Sequence, residues 1–585
     1  MKAGQTDTTF SYAVHRIRQE SGLYKSVEFT VFVCLSGLLL LGGNYISGLT
    51  SPGFFEKKYF IINSPGEFFL CALFTVARLI SAVILSFCVA VCYGFAATKT
   101  RFGERFLPPL LGVTRFIPSL SILLLTMLLV GAYAPGVTFL LEGAVLFSAV
   151  FSMAQKSAEN ICYALKNIPS ELSEVTRCFK LNAWQKLLIL DWPKVIPGFL
   201  HDLRNALAGG FIVILYAEII SVNHNESSLP GLGSYAASAV FQGNLLPALC
   251  VLVAIILLMA GSESILLRPL NGWVARYYAD DYRADIHEDG AEFISFEESY
   301  LPVNKRKLNF NSFYEKCLRL FSEYFYRCFS KKNIFLKKMQ LSTLFFISFV
   351  TLPIVICFTL FTVSFHLYQF TQYLDVLCRC VMTLLRIGCV LFFASLLWLP
   401  FGIWLALHVK RREFILKTAG YLSFFPVVIL CCFVPALYWS GSFLPESWCF
   451  FLLIAGAQWS ILLHVVHRMM AFPDSFSDVI QTFHTRGFFL IRTIILPYII
   501  PGFLSGLAEA AARSWCVVVA AEWLPGHTSE FFVYGVGSYL AEAFQARSVS
   551  CLMLGIVMMV FCAMVVNFLL WRPLISYVYR TLKIN

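Results

Sequence analysis

Apolar runs alternate with polar segments along this chain. The runs fall at 27–48, 69–97, 106–132, 136–156, 203–222 and 246–267, and after a polar gap at 342–365, 375–408, 416–440, 449–469, 506–524 and 549–571. Crossing about 30 Å of hydrocarbon takes roughly 20 helical residues. The pattern therefore predicts an all-α membrane protein with about twelve transmembrane helices, six on either side of the gap.

Composition agrees. Of 585 residues, 58% are hydrophobic and only 14% charged, and the mean hydropathy is +0.73, too apolar for a water-soluble core. The first 26 residues are polar and basic and no small-residue cleavage site follows the first run, so an uncleaved first helix is expected. Short cytoplasmic loops carry the excess of Lys and Arg. Lys99, Arg101 and Arg105, then Lys166, Arg177, Lys180, Lys186 and Lys194, then Lys410, Arg411, Arg412 and Lys417 mark one side as cytoplasmic, and both termini are expected there. Segments 223–245 and 366–374 have no Lys or Arg, whereas Lys57, Lys58 and Arg547 are exceptions. Topology thus accounts for the net charge of +11, and a nucleic-acid partner gains no support. Most of the 19 cysteines lie in apolar runs and form no CxxC pair, so no metal site is expected.

The two halves repeat each other. A shift of 304 lays Pro193 on Pro497, Pro169 on Pro473, Ala217-Glu218 on Ala521-Glu522, and Gly233-Ser234-Tyr235 on Gly537-Ser538-Tyr539. Upstream the shift becomes 308, pairing Thr75 with Thr383, Arg78 with Arg386, Gly94 with Gly402 and Pro118 with Pro426. The four-residue difference falls between Pro118 and Pro169. Both copies contain six expected helices and begin inside, so the repeats are parallel. The predicted organisation is a first repeat over 1–271, a cytoplasmic linker over 272–340 and a second repeat over 341–585. The linker turns from acidic to basic; Phe310, Phe313, Cys317, Leu320 or Phe321, Tyr324 and Cys328 recur at helical spacing in its basic part, as in an amphipathic helix on an anionic leaflet, the alternative being a solvated linker.

Each copy carries a long inside loop with prolines at its limits, Pro169 and Pro193 in the first and Pro473 and Pro497 in the second. Pro169 and Pro473 suit a helix start. Pro193 with Pro197, and Pro497 with Pro501, are expected to break the chain before it re-enters the bilayer. A short projecting helix follows from this pattern. The loop resembles the EAA signature of type I ABC importer permeases. Glu174 and Arg177 match its acidic and basic positions in the first copy, Asp478 and Gln481 occupy them in the second, and Pro193 and Pro497 match its terminal proline. Val175-Thr176 and Val479-Ile480 replace the family's alanines, and Lys180 and His484 stand where it usually has glycine. The Ala-Glu pairs, the Gly-x-Gly stretches PGLGSY and YGVGSY, and Arg78 and Arg386 early in the second helix of each copy look most like the nitrate, taurine and sulfonate group.

That resemblance implies the importer transmembrane fold and a bacterial inner-membrane location. It also implies an extracytoplasmic binding protein and a cytoplasmic ATPase, in two copies, docked on the coupling loops. No GxxxxGK[ST] phosphate loop occurs. The chain is therefore expected to be no enzyme and to hold no cofactor, ATP and Mg being bound by the partner. A small anion such as nitrate, a sulfonate, taurine or bicarbonate is the substrate class the subgroup implies. The alternatives are a fused iron(III) or thiamine permease, a twelve-helix transporter driven by an ion gradient, and a structural scaffold.

Ionisable residues inside apolar helices are costly and usually face a partner or a cavity. At about 1.5 Å per residue, Arg78 lies roughly 13 Å in from the outer face and Glu218 roughly 22 Å up from the inner one. Two symmetric pairs, Arg78 with Glu218 and Arg386 with Glu522, are the expectation. The competing accounts have each arginine snorkelling outward, or binding an anionic substrate.

Overall fold

A computed structural model describes residues 65–133, 138–179, 186–223, 229–270, 370–407, 425–433, 445–470, 487–523 and 533–581, with isolated positions at 415, 418–420, 422, 423 and 472. In the first copy the helices are α1 (Pro65–Lys99), α2 (Arg101–Thr114), α3 (Ser119–Tyr133), α4 (Thr138–Lys166), α5 (Ser170–Cys178), α6 (Trp192–Asn223), α7 (Leu232–Phe241) and α8 (Leu245–Gly261). In the second they are α9 (Phe370–Leu407), α10 (Pro445–Met470), α11 (Leu496–Glu522), α12 (Val536–Gln545), α13 (Val549–Val566) and α14 (Arg572–Thr581).

The architecture is that of an all-α, multi-pass membrane protein. Among the described residues eight helices are long and apolar enough to cross a membrane. They are centred on α1, α4, α6 and α8 in one copy and on α9, α10, α11 and α13 in the other, the same order twice. The expected spans 27–48 and 342–365, and the linker with its amphipathic helix, lie outside the described residues.

Two expectations need correction. The run 106–132 is not one spanning helix but two short ones, α2 and α3, separated at 115–118. Pro118 supplies no amide hydrogen and disfavours helical geometry in the residue before it, so the chain restarts there with Ser121 N–H donating to the Pro118 carbonyl at 3.1 Å. The run 416–440 likewise holds a 3₁₀ segment at Val427–Phe433, which begins after Pro426.

The second correction concerns the prolines before the fifth spanning helix. Pro193, Pro197, Pro497 and Pro501 do not break the chain, because helix runs through all four. A wide π-turn precedes each pair, at Leu187–Asp191 and at Ile491–Ile495. Trp192 N–H bonds Leu187 O and Leu496 N–H bonds Ile491 O, a spacing of five residues. A proline ring clashes with the carbonyl four residues back, and opening the turn ahead of it relieves that clash. The same device recurs at Ser262–Leu267 ahead of Pro269 and at Asn567–Trp571 ahead of Pro573.

Close helix crossings are also duplicated. A Cβ on Gly94 would come within 2.4 Å of Ile161 Cγ2, and one on Gly402 within 2.8 Å of Val465 Cγ1. Both glycines thus let the first long helix of their copy lie against the next.

The copies pack through their third segments. α3 leans on α11, α12 and α13 of the second copy, while the 3₁₀ segment Val427–Phe433 leans on α6 and α7 of the first. Tyr216 of α6 meets Trp523 edge to face at 6.3 Å. Ser121 of α3 donates to Met559 Sδ of α13 at 3.8 Å.

Candidate functional site

Near the end of each copy that the sequence predicts to face outward, a buried glutamate is wrapped by donors from other helices. Glu218, on the last turns of α6, is fully buried, and Thr75 beside it is too. Arg78 Nη1 donates to its carboxylate at 2.7 Å, Thr75 Oγ1 at 2.9 Å and the Gly233 amide at 2.9 Å. That amide belongs to the first turn of α7, whose positive dipole end favours a carboxylate there. Thr75 Oγ1 in turn accepts the Leu232 amide at 2.9 Å. Arg78 also donates to the Pro230 carbonyl at 2.8 Å and clasps Glu142 of α4 through Nε at 2.7 Å and Nη2 at 2.5 Å.

The second copy repeats the node. Arg386 and Thr383 donate to buried Glu522, the latter at 2.7 Å, and the Gly537 amide adds a third bond at 2.6 Å. Val536 N–H bonds Thr383 Oγ1 at 3.0 Å, and Arg386 reaches the Tyr534 carbonyl at 3.2 Å and Glu446 at 3.2 Å. The structure thus brings Arg78 to Glu218 and Arg386 to Glu522. Each guanidinium is committed to protein acceptors on several sides, so it ties helices together rather than standing open to a ligand.

This geometry explains the Gly-x-Gly stretches. A Cβ on Gly231 would lie 2.1 Å from Glu218 Cδ, and one on Gly535 would lie 2.3 Å from Glu522 Cδ. Only glycine lets the backbone press against the carboxylate. Sequence reasoning missed Glu142 and Glu446, because an acidic residue at a helix start looks like ordinary end decoration. Their signal was that they too are related by the 304 shift. That relation places the four-residue difference between the copies in the stretch from Pro118 to Glu142.

Of the residues that the resemblance assigns to coupling loops, the described ones lie at the other end of the fold. Pro169 caps α5 with φ −54° and ψ 137°, and Arg177 sits in its last turn. Glu174 and Arg177 are exposed. So are Leu172, Val175 and Phe179, at 41%, 47% and 71% of their surface, an apolar row along one face. Lys186 Nζ donates to Ser173 Oγ at 2.9 Å, and Lys99 Nζ meets Asp191 at 2.8 Å, binding the end of α1 to the start of α6. Pro193 and Pro497 stand in the first turn of α6 and of α11. Lys180, Pro473, Asp478, Gln481 and His484 lie outside the described residues.

Two outcomes follow for the outer nodes. Removing one partner of a buried ion pair costs about 3–5 kcal/mol, so Glu522→Ala should destabilise strongly. Arg386→Ala combined with Glu522→Ala should cost less than the sum of the two, with a coupling on the order of 1–3 kcal/mol in reversible unfolding measured in bicelles. Gly535→Ala should cost about 1–3 kcal/mol through overpacking. Gly143→Ala, where a Cβ meets nothing within 4 Å, should instead be neutral or stabilise by up to about 1 kcal/mol.

No family model matches the chain. Among curated proteins it is similar to the bicarbonate transport system permease protein of Synechococcus elongatus, 23% identical over 107 residues, 18% of this chain and 37% of that one. It is similar to the glycine betaine transport system permease protein of Bacillus subtilis, 25% identical over 171 residues, 29% of this chain and 54% of the relative. The nitrate import permease protein of Leptolyngbya laminosa is 25% identical over 107 residues, covering 18% and 36%. The chain thus spans about half the length, or less, of the curated relatives it matches. Over those stretches the chain, itself a multi-pass helical membrane protein, is similar to permease proteins of transport systems.

Proposed function

We propose that this chain forms the membrane pathway of an ATP-driven importer and carries no ATP site of its own. α5 and the corresponding loop of the second copy couple it to a separate cytoplasmic ATPase, and a binding protein delivers substrate to the outer face. A small oxoanion is the substrate class: two of the matched relatives are named for bicarbonate and nitrate. Both termini lie on the cytoplasmic side.

The observation that carries this reading is the surface of α5. A nine-residue helix that leaves Leu172, Val175 and Phe179 uncovered beside Glu174 and Arg177 has the composition of a docking surface, an apolar centre with a charged rim. It stands at the Lys-rich end of the protein, next to the start of α6. From Asp191, the last residue before that helix, to Glu218 the chain climbs about 40 Å at 1.5 Å per residue. Movement imposed on the inner end is thereby delivered to the outer node by one rigid element. Coupling of this kind requires that the two conformations bind nucleotide and substrate differently.

Affinity capture of the full-length chain from its native cells, followed by mass spectrometry, tests the reading. An ATPase bearing a phosphate loop should co-purify, and recovery should fall sharply when Glu174→Arg and Asp478→Arg are combined. Absence of any ATPase, even after crosslinking from cysteine placed at position 174, would favour a gradient-driven transporter instead.

A further inference from the structure

A second charged cluster lies deep in the bundle, in the middle of α11 and far from the outer nodes. Arg513 donates to Glu509 Oε1 through Nε at 3.2 Å and Nη2 at 2.8 Å, to the Ser423 carbonyl at 3.0 Å, and across to Asn205 Oδ1 of α6 at 3.2 Å. His464 Nε2 of α10 stands 3.5 Å from Glu509 Oε2, while its Nδ1 is 2.8 Å from the Ser460 carbonyl. Lys156 of α4, which is exposed, acts electrostatically on Glu509 from the first copy. The Ser460 hydroxyl, one turn from His464, is buried and makes no hydrogen bond among the described residues.

The repeat gives this cluster its meaning. Asn205 and Glu509 are equivalent positions under the 304 shift, and one guanidinium touches both. Two equivalent residues bridged by a single side chain must lie close to the axis that relates the copies. Arg513 therefore stands on the line between the halves, and its own equivalent is Gly209, so no second arginine opposes it. Equivalents of His464 and Lys156 are Asn160 and Ser460. The outer nodes were preserved in both copies while this level diverged, which is expected of a place that meets one asymmetric ligand rather than of a place that holds helices together.

We propose that Arg513, on the line between the copies, is a specificity-determining residue, and that it takes a planar oxoanion in place of the Glu509 carboxylate. The proposal rests on the importer reading above. A guanidinium offers a rigid fork matched to planar oxyanions; here Nε and Nη2 both engage the single oxygen Oε1 of Glu509, and an oxoanion in its place would span the two donors. Lys156 adds positive charge to the surroundings of Arg513, which favours an anion when Glu509 swings aside. A spherical anion would gain the charge but not the fork.

The test uses the full chain in nanodiscs, titrated with sodium formate, bicarbonate or nitrate against sodium chloride at equal ionic strength, with thermal unfolding as readout. The unsubstituted protein should be stabilised more by the planar anions than by chloride. Arg513→Gln should abolish that preference. Arg513→Lys, which keeps the charge and loses the fork, should retain anion stabilisation without preference. Glu509→Gln, which removes the competing carboxylate, should lower the apparent dissociation constant for formate about tenfold or more. A planar preference that survives Arg513→Gln, or an affinity unchanged or weakened by Glu509→Gln, would overturn the proposal. ATPase capture by the same preparations separates the two readings: capture intact with anion effects blind to Arg513 sinks this inference alone, whereas failed capture with anion effects that follow Arg513 sinks the importer reading and leaves the site.

Discussion

A carboxylate with no access to water has to be given donors, and in this protein that requirement is met twice in the same way. Glu218 and Glu522 are completely buried, and an uncompensated charge at such a place is costly. Each receives a guanidinium, a threonine hydroxyl and the amide of a helix first turn. Those donors come from two segments, and the carboxylate stands on a third. Satisfying one carboxylate therefore fixes where α1, α6 and α7 meet, and the second acid on the arginine adds α4. The glycines at 231 and 535 are a consequence, since the chain must pass within contact of the carboxylate.

Duplication explains what is shared, and divergence points to what is used. The outer nodes, the glycine crossings and the π-turns ahead of the prolines appear in both copies. All of these solve problems of packing or hydrogen bonding that each copy faces alone. The level of Arg513 is different: equivalent positions hold Asn205 against Glu509 and Gly209 against Arg513. The loops differ as well, with Glu174 and Arg177 in one copy and Asp478 and Gln481 in the other. On the proposed reading, a single chain removes the concentration dependence of bringing two subunits together and frees the halves to change independently.

Much of the fold was legible because hydrophobic length is a strong signal: eight of the expected runs are long helices in the structure. Arg78, Glu218, Arg386 and Glu522 stood out because they interrupt apolar runs. What escaped has specific causes. The break at Pro118 was hidden inside a run that is apolar on average, although Thr114, Arg115 and Ser119 flank it. The prolines at 193 and 497 were read as breaks because a local rule says so, and a wide turn just upstream circumvents it. Glu142 and Glu446 were overlooked at helix starts. Glu509 and Arg513 lie one turn apart inside a run that reads as apolar on average, and only the axis between the copies gives them significance. Pairings between distant segments are a property of packing, which periodicity does not report.

The central claim is that two equivalent halves of one chain are moved by a common motor acting on their inner loops. A spin-label distance between positions 174 and 478, measured in the native complex with and without ATP, addresses it most directly. The account predicts that the distribution shifts to shorter distances when ATP is bound and returns after hydrolysis. A distribution indifferent to nucleotide would contradict it.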